Sequence, residues 1–392
     1  MLRRNGTRDI DVAVLGGGPA GTATALTLSR KGYSVVVAEP SDYRKARIGE
    51  MLPPAARPLL VSLGVWDRFL AENHSPSFAI RSAWGQPLLY HNDFIFNPHG
   101  SGWHVDRSRL DAMLARAAED AGACVCRGAR LISFEENGKN WRLEIASNDS
   151  CMFRTKLAVD ATGRRAWLAH RQGAKRINHD HLVGVVTSLS PGPHYRDPGR
   201  YTLLESVEDG WWYSAFLHSD VVTAYMTDGN LYARGSRVGA NYWRRKLQNT
   251  THTSRRVSRL VLVSGPVIVA ANSSQLDRFA GDNWLAVGDA AMAFDPLSGQ
   301  GIFKALDSGV KAADAIDAYF SGRKSSFEGY AGAVKKGFEK YLAIRRIYYR
   351  REMRWPESPF WQRRHSPTHK DLRDRQQNGV YMGDAKAAPN LA

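Results

Sequence analysis

Asp11-Val12-Ala13-Val14-Leu15-Gly16-Gly17-Gly18-Pro19-Ala20-Gly21 is the stretch on which the fold turns. Asp11 to Leu15 is a short apolar run that reads as a strand, and Ala20 to Ser29 is small and helix-compatible. Between them lies Gly-x-Gly-x-x-Gly, which together with its flanks makes a dinucleotide fingerprint. Gly16 permits the tight turn, Gly18 lets a pyrophosphate approach the backbone, and Gly21 lets the helix pack close to the strand. Pro19 and Ala20 stand at the helix start, where phosphates meet free amides at the positive end of the dipole. The glycines alone are a weak signal. They gain weight because the next apolar run, Tyr33 to Glu39, ends in a carboxylate 18 residues past Gly21. Glu39 is placed to accept hydrogen bonds from ribose hydroxyls, and it disfavours a 2′-phosphate.

Outward from this unit, Arg107 to Ala121 carries Leu110 and Leu114 at helical spacing. Ala129–Phe134 and Asn140–Ala146 alternate like a hairpin, and Lys156–Asp160 reads as a short strand. From about residue 182 to 271 the pattern changes. Leu182–Leu189, Tyr201–Ser206, Trp211–Leu217, Val221–Thr227 and Val261–Ala270 are rich in valine, threonine and aromatics and are separated by Gly, Pro and Asp. That pattern suits an antiparallel sheet inserted into an α/β domain. Nucleotide-type signals return at Asn283–Gly301, helical sequence follows to about residue 352, and the polar stretch from Gln376 is expected to be disordered. The implied division gives residues 1–80, 101–180 and 273–325 to a nucleotide-binding domain. Residues 81–100 and 181–272 go to a substrate domain, 326–375 to a helical Arg/aromatic-rich region, and 376–392 to a tail.

The length of 392 residues fits one large or two interlocked domains. No apolar run reaches the roughly 18 to 20 residues that span a bilayer. The N-terminal stretch has basic residues but no apolar segment ending at a small-residue cleavage site, and it reads as mature protein. Cys124, Cys126 and Cys151 lack CxxC spacing, which points to reduced thiols and a cytoplasmic location. The net charge of +16 and pI of about 9.9 favour acidic partners. The excess is concentrated in Arg345, Arg346, Arg350, Arg351, Arg354, Arg363 and Arg364, which read equally well as a solvated helix face. No zinc-finger spacing or RNA-binding signature supports nucleic acid, and no HExxH, paired CxxC or GxSxG points to a metal site or hydrolytic triad.

A second motif separates the dinucleotides. Trp284-Leu285-Ala286-Val287-Gly288-Asp289-Ala290-Ala291 is a short apolar strand ending in Gly-Asp, and Asp295-Pro296-Leu297-Ser298-Gly299-Gln300-Gly301 opens a helix. This pair resembles the GD motif of the FAD-dependent monooxygenases and halogenases built on the glutathione-reductase-like nucleotide fold. The resemblance implies non-covalent FAD, with Asp289 on its ribityl chain. It also implies that Pro296, Gly299 and Gly301 lie against the isoalloxazine, where a helix N-terminus stabilises the negative charge of reduced flavin. Arg47-Ile48-Gly49-Glu50, followed by Leu52-Pro53-Pro54, is similar to the loop that shapes the flavin pocket in the halogenase-like branch, and Arg47 joins the cofactor-binding set. Arg107, entering a helix after Gly102-Trp103-His104-Val105-Asp106, matches the family's FAD-contacting arginine. Asp160-Ala161-Thr162-Gly163 stands where the family carries Asp-Gly. The block Tyr349–Pro356 with Pro359-Phe360-Trp361 resembles one sub-branch, whose members include flavoproteins that hydroxylate tryptophan side chains of partner proteins to build tryptophylquinone cofactors. The resemblance covers roughly residues 10–365. The fold it implies is α/β, a Rossmann-type parallel sheet with an inserted antiparallel substrate sheet and a helical C-terminal region.

Departures from the family narrow the chemistry. Halogenases of this branch hold hypohalous acid on a lysine between the Gly-Glu loop and the Arg107-type helix, yet no lysine occurs between Lys45 and Lys139. Their Trp-x-Trp-x-Ile-Pro signature would fall on Trp211-Trp212-Tyr213-Ser214-Ala215-Phe216, which lacks the second tryptophan, the isoleucine and the proline. Single-component hydroxylases carry aspartate where Thr162 stands, so electrons are expected from NAD(P)H or from a separate flavin reductase. The remaining chemistry is transfer of oxygen from a C4a-hydroperoxyflavin, made with molecular oxygen, to an electron-rich aromatic ring in a dry pocket. The ring is expected on an acidic partner protein carrying the target tryptophan. The alternatives are a small aromatic that is hydroxylated or halogenated and, in another class, a basic nucleic-acid-binding protein. Trp211 and Trp212 are candidates for the substrate pocket, with plain core packing as the competing role. Tyr213 shares their strand and is a candidate catalytic residue. His104 is a candidate base, its ordinary pKa of about 6.5 being suited to that role, or a cap before the Arg107 helix. Glu50 would position substrate or bond its own loop.

Overall fold

Val12, Val14, Val36, Val37, Ala158 and Val159 are buried to within one per cent of completely, because parallel strands are covered on both faces. The computed structural model describes residues 7–137, 140–146, 150–191, 199–217, 220–233 and 239–366, and the expected tail at 376–392 lies outside them. In chain order the principal elements begin with β1 (Thr7–Leu15), α1 (Pro19–Arg30), β2 (Val35–Glu39), β3 (Ala79–Ala83), β4 (Tyr90–Asp93) and α2 (Arg107–Asp120). There follow β5 (Cys124–Arg127), β6 (Arg130–Asn137), β7 (Asn140–Ala146) and β8 (Ser150–Asp160). The second half holds β9 (Leu182–Pro191), β10 (Tyr201–Val207), β11 (Gly210–Phe216), β12 (Val221–Asp228), β13 (Leu260–Ala270) and β14 (Trp284–Ala286). Three helices close the chain: α3 (Gly301–Phe320), α4 (Ser326–Arg350) and α5 (Pro359–His365).

The first sheet runs β5-β2-β1-β8-β7-β6, with β14 on the C-terminal end of β8. Strands β5, β2, β1, β8 and β14 are parallel, while β7 and β6 form an antiparallel appendage. Strand β8 is longer than the short Lys156–Asp160 run expected, because it runs parallel to β1 along almost its whole length while its other edge pairs first with β7 and then with β14. The two nucleotide motifs meet through helix packing. A Cβ on Gly309 of α3 would lie 2.4 Å from the Ala20 carbonyl oxygen, and the Thr24 hydroxyl donates to the Gly309 carbonyl at 3.1 Å.

The second sheet has the order β13-β9-β12-β11-β10-β3-β4 and is antiparallel except where β10 runs beside β3. Its outer face carries two short helices, Ala240–Gln248 and His252–Val257, that the strand-rich pattern did not suggest. They are called for by the apolar residues on that face, where Trp212 stacks on Tyr225 at 5.2 Å and meets Trp243 edge-on at 5.6 Å.

At least four of the seven late arginines are engaged with acids instead of lying on a solvated face. Arg345 pairs with Asp180 and Asp295, Arg354 with Glu352, and Arg363 and Arg364 with Asp228. Asp228 ends β12 and bonds Arg364 of α5 at 2.7 Å, both side chains being almost wholly buried. Burial pushes the Asp228 carboxyl up, but the Arg364 and Arg363 bonds prevail and hold it below its ordinary value. Asp228→Asn is expected to lower the unfolding free energy by about 3 kcal/mol, the scale for breaking a buried pair from one side, in urea melts at neutral pH. Because the folded-state value is depressed, the stabilisation is full above the unfolded carboxyl range and is lost as pH falls through the folded value. The gap between variant and wild type therefore closes in acid.

Candidate active site

A cavity of about 1020 Å³ lies where the parallel strands end and the antiparallel sheet begins. Its lining includes Gly16, Gly18, Pro19, Ala20, Glu39, Arg47 and Arg107 from the N-terminal part of the chain and Asp289, Pro296, Gly299 and Gly301 from the second motif. Gly21, the remaining motif glycine, packs behind it: a Cβ there would lie 2.0 Å from the Gly16 carbonyl oxygen.

The nucleotide end fits a pyrophosphate. Gly16 has φ +109°, and a Cβ on it would lie 2.3 Å from the Ala161 carbonyl oxygen, so the turn closes only without a side chain. Gly18, the N-cap of α1, faces open space and carries no side-chain cap, which leaves the first amides of the helix for an anion. Glu39 already accepts from the Gly17 amide at 2.7 Å, from Ser41, and from Arg47 at 2.7 Å, so a ribose would share this carboxylate with protein donors. Arg47 and Arg107 are both held by Asp111, which is completely buried. Arg107 also donates to the Ile48 carbonyl, tying the Arg47–Glu50 loop to α2. Asp111 was missed by sequence reading, although it stands four residues after Arg107, at ion-pair spacing on a helix.

The flavin end is built by Asp289 and the Asp295 loop. The Asp289 side chain is 43% exposed and lies 3.8 Å from Arg164, which the sequence did not single out. Gly299, at φ +60°, sits where a Cβ would lie 2.7 Å from the Met51 sulfur. Asp295 caps the Pro296–Ser298 turn through the Leu297 amide, and α3 begins at Gly301 without a side-chain cap. A phosphate-binding helix start at one end of the cavity and a second helix start at the other fit one long FAD. Bound there, FAD would supply the redox and oxygen chemistry, held by the residues of both motifs.

The catalytic candidates separate. Glu50 lines the cavity, only 5% exposed, and one carboxyl oxygen accepts its neighbour's Gly49 amide at 3.0 Å. Burial pushes its carboxyl above the ordinary value. Tyr213 also lines the cavity, and its hydroxyl has no partner of normal hydrogen-bond geometry among the described residues. Burial, then the Glu50 charge, raise its pKa well above the usual phenol value.

His104 is not placed to act as a base. Its Nδ1 lies 3.0 Å from the Phe216 carbonyl, which can only accept, so Nδ1 carries the proton and Nε2 accepts from the Thr202 hydroxyl at 2.8 Å. Burial, helped by the Arg256 charge, lowers its pKa to about 4. It is a buried bracket between strands and is absent from the cavity wall. Trp211 and Trp212 do not line the cavity either. Strand alternation sends Trp212 to the outer-face cluster and Trp211 to the inner one, where its indole N–H donates to the Tyr349 hydroxyl at 3.0 Å. Lys304, one turn into α3, is buried with its ammonium on the Phe294 ring and the Met292 carbonyl, outside the lining.

A family model described as an FAD binding domain matches residues 9–328. A protein named as an FAD-dependent oxidoreductase, LodB of Marinomonas mediterranea, is 30% identical over 371 residues, covering 91% of this chain and 97% of its own. The 1H-pyrrole-2-carbonyl peptidyl-carrier-protein chlorinase of Pseudomonas fluorescens is 25% identical, with 87% and 84% of the two chains covered. Among solved structures, the myxobacterial chondrochloren halogenase CndH superposes with a TM-score of 0.84 at 20% identity, over 95% of this chain and 90% of that one. The peptidyl tryptophan dihydroxylase QhpG, essential for tryptophylquinone cofactor biogenesis, gives 0.76 at 23% identity, over 91% and 79%.

Two measurements test the site. Asp111→Asn, which frees Arg47 and Arg107, is expected to weaken FAD binding about tenfold, or about 1.4 kcal/mol, read by flavin fluorescence titration. Because the folded state favours protonated Glu50, its contribution to stability falls as pH rises from the unfolded carboxyl value through the raised folded one. Glu50→Gln should flatten that part of the pH profile in denaturant titrations and raise the midpoint at neutral pH. The match over residues 9–328 and the 30% identity to an FAD-dependent oxidoreductase along nearly the whole of both chains make this chain a member of the FAD-binding-domain family of flavin-dependent oxidoreductases.

Proposed function

We propose that this flavoprotein is a monooxygenase that hydroxylates an electron-rich aromatic ring, and that the ring is a tryptophan side chain offered by a partner protein. The observation that carries the reading is the makeup of the cavity wall beyond the flavin site. Val186, Val222, Ala224, Met226 and Val269 form an apolar face, Glu50 and Tyr213 supply polar groups, and no lysine is present among the lining residues. A halogenase of this branch needs a lysine to hold its oxidised halide, whereas oxygen insertion needs orientation and exclusion of water.

Within that wall the roles divide by chemistry. The apolar strands receive the flat ring. Glu50, its basicity raised by burial, takes the proton that the ring carbon loses as aromaticity returns. The free hydroxyl of Tyr213 donates to the substrate or to Glu50 and fixes the orientation of both. Electrons come from NAD(P)H, through a separate flavin reductase on this reading, because Thr162 lines the cavity where an aspartate would serve direct reduction. QhpG, whose name specifies a peptidyl tryptophan, supports the protein substrate. The +16 charge supports an acidic partner, drawn less by the late arginines, several of which are engaged internally, than by the basic surface as a whole. No helix among the described residues is long and apolar enough to cross a membrane, and the free thiols of Cys124, Cys126 and Cys151 suit a reducing, cytoplasmic compartment.

A second reading, halogenation of a small aromatic, is favoured by the chlorinase and halogenase relatives. One assay separates the two. The holoenzyme, a flavin reductase with NADH, dioxygen and bromide are given a tryptophan-containing acidic peptide and a free pyrrole or phenol, and products are weighed by mass spectrometry. A gain of one oxygen on the peptide supports the proposal. Bromine's isotope doublet on the small aromatic, with the peptide untouched, overturns it. Glu50→Gln should lower kcat about 100-fold, the usual scale for a lost general base, while FAD content is retained.

A further inference from the structure

The C-terminal aromatic block has a use that neither FAD binding nor oxygen insertion absorbs. Tyr349, in the last turn of α4, is 1% exposed, and its hydroxyl donates to the Asp295 carboxylate at 2.7 Å. Asp295 is itself part of the cavity wall. From Tyr349 the rings continue outward: Trp361 at 6.0 Å between centroids, then Trp355 at 6.2 Å and nearly parallel to it. Trp84 bridges the same group, 5.6 Å from Tyr349 and 5.5 Å from Trp361. Trp361 is completely buried and Trp355 is half-buried at the surface, so the series runs from the flavin cavity to solvent without a gap wider than adjoining rings.

We propose that Tyr349, Trp361 and Trp355 form a relay that drains one-electron oxidising equivalents from the flavin cavity to the protein surface. Tryptophan and tyrosine are the side chains most readily oxidised by one electron, and electron exchange between neighbouring rings is fast. The oxidant is an oxygen-centred radical, formed when a peroxide O–O bond in the cavity breaks homolytically instead of delivering its oxygen to substrate, and one electron reduces it to the corresponding oxyanion. It takes an electron from Tyr349, whose phenolic proton passes along the existing hydrogen bond to Asp295, leaving a neutral tyrosyl radical. Two guanidiniums over the ring, Arg345 at 4.8 Å and Arg364 at 5.2 Å, oppose a positive ring and so favour this coupled proton loss.

Trp361 then returns an electron to Tyr349, and the proton comes back from Asp295. The Trp361 N–H donates to the Val207 carbonyl, which cannot take its proton, so the hole stays a radical cation and moves on to Trp355. Arg354 lies over Trp355, but its charge is matched by Glu352 at 2.6 Å. A soluble thiolate at the surface reduces Trp355 and leaves as a thiyl radical, which closes the electron balance. The relay depends on bound FAD and not on which ring the enzyme hydroxylates.

Blue light turns the bound flavin of the intact holoenzyme into a controllable one-electron oxidant, with dithiothreitol as terminal reductant. Bleaching of the visible flavin band should slow at least several-fold in Trp355→Phe, a surface change that leaves the buried rings in place. Without thiol, peptide mass spectrometry should find oxygen adducts at Trp355 ahead of Met353, although Met353 is 60% exposed. In Trp361→Phe the adducts should retreat to Tyr349 and Trp84. Equal bleaching in wild type and Trp355→Phe, with adducts following exposure and Met353 leading, would overturn the proposal.

Discussion

Asp295 is completely buried, and a carboxylate in that position is tolerable only when every oxygen is bonded. One oxygen takes the Leu297 amide at 2.9 Å; the other takes Tyr349 at 2.7 Å and Arg345 at 3.0 Å. Its own amide donates to the Tyr341 hydroxyl, which also bonds Ser273 just past β13. The turn that opens the flavin helix, the long helix α4 and the far end of the antiparallel sheet are therefore fastened at a single charge. Through Tyr349 the network reaches Trp211 in the middle of the antiparallel sheet.

Two other buried acids repeat the device. Asp111 holds Arg47 and Arg107 at the nucleotide end, and Asp228 holds Arg363 and Arg364 under the sheet. Asp111 joins Arg107 of its own helix to Arg47 of the preceding loop, and Asp228 at the end of β12 joins Arg363 and Arg364 of α5. Much of the chain's late positive charge is consequently internal. A basic composition describes what the surface can attract, but it does not say which arginines are there.

The cavity itself divides by chemistry. Its nucleotide end combines glycine backbone and a helix start, which suit phosphates, with the side chains of Glu39, Arg47 and Arg107. Its far wall is apolar strand, broken by Glu50 and Tyr213. A polar pair surrounded by apolar atoms is the arrangement that shifts pKa values, and both groups are pushed upward by burial.

How much of this was legible in the sequence follows from range. The Gly16–Gly21 turn, the Asp289 and Pro296–Gly301 segments, the strand runs from 182 to 270 and the Arg107 helix are local patterns, fixed by periodicity and backbone sterics, and the chain folds them where those patterns stand. The cofactor follows from those segments, because two nucleotide signals in one chain imply one long ligand. Side-chain roles did not follow. Trp211, Trp212 and His104 look like site residues in the sequence and are core, because strand alternation and the helices on the outer face decide which way a side chain points. Asp111 gains Arg47, Arg164 meets Asp289 and Asp295 meets Arg345 only across fifty residues or more. Local sequence determines which backbone can form and which ligand chemistry it suits. Burial and partnership, which set charge, tautomer and access, exist only once distant segments are packed together.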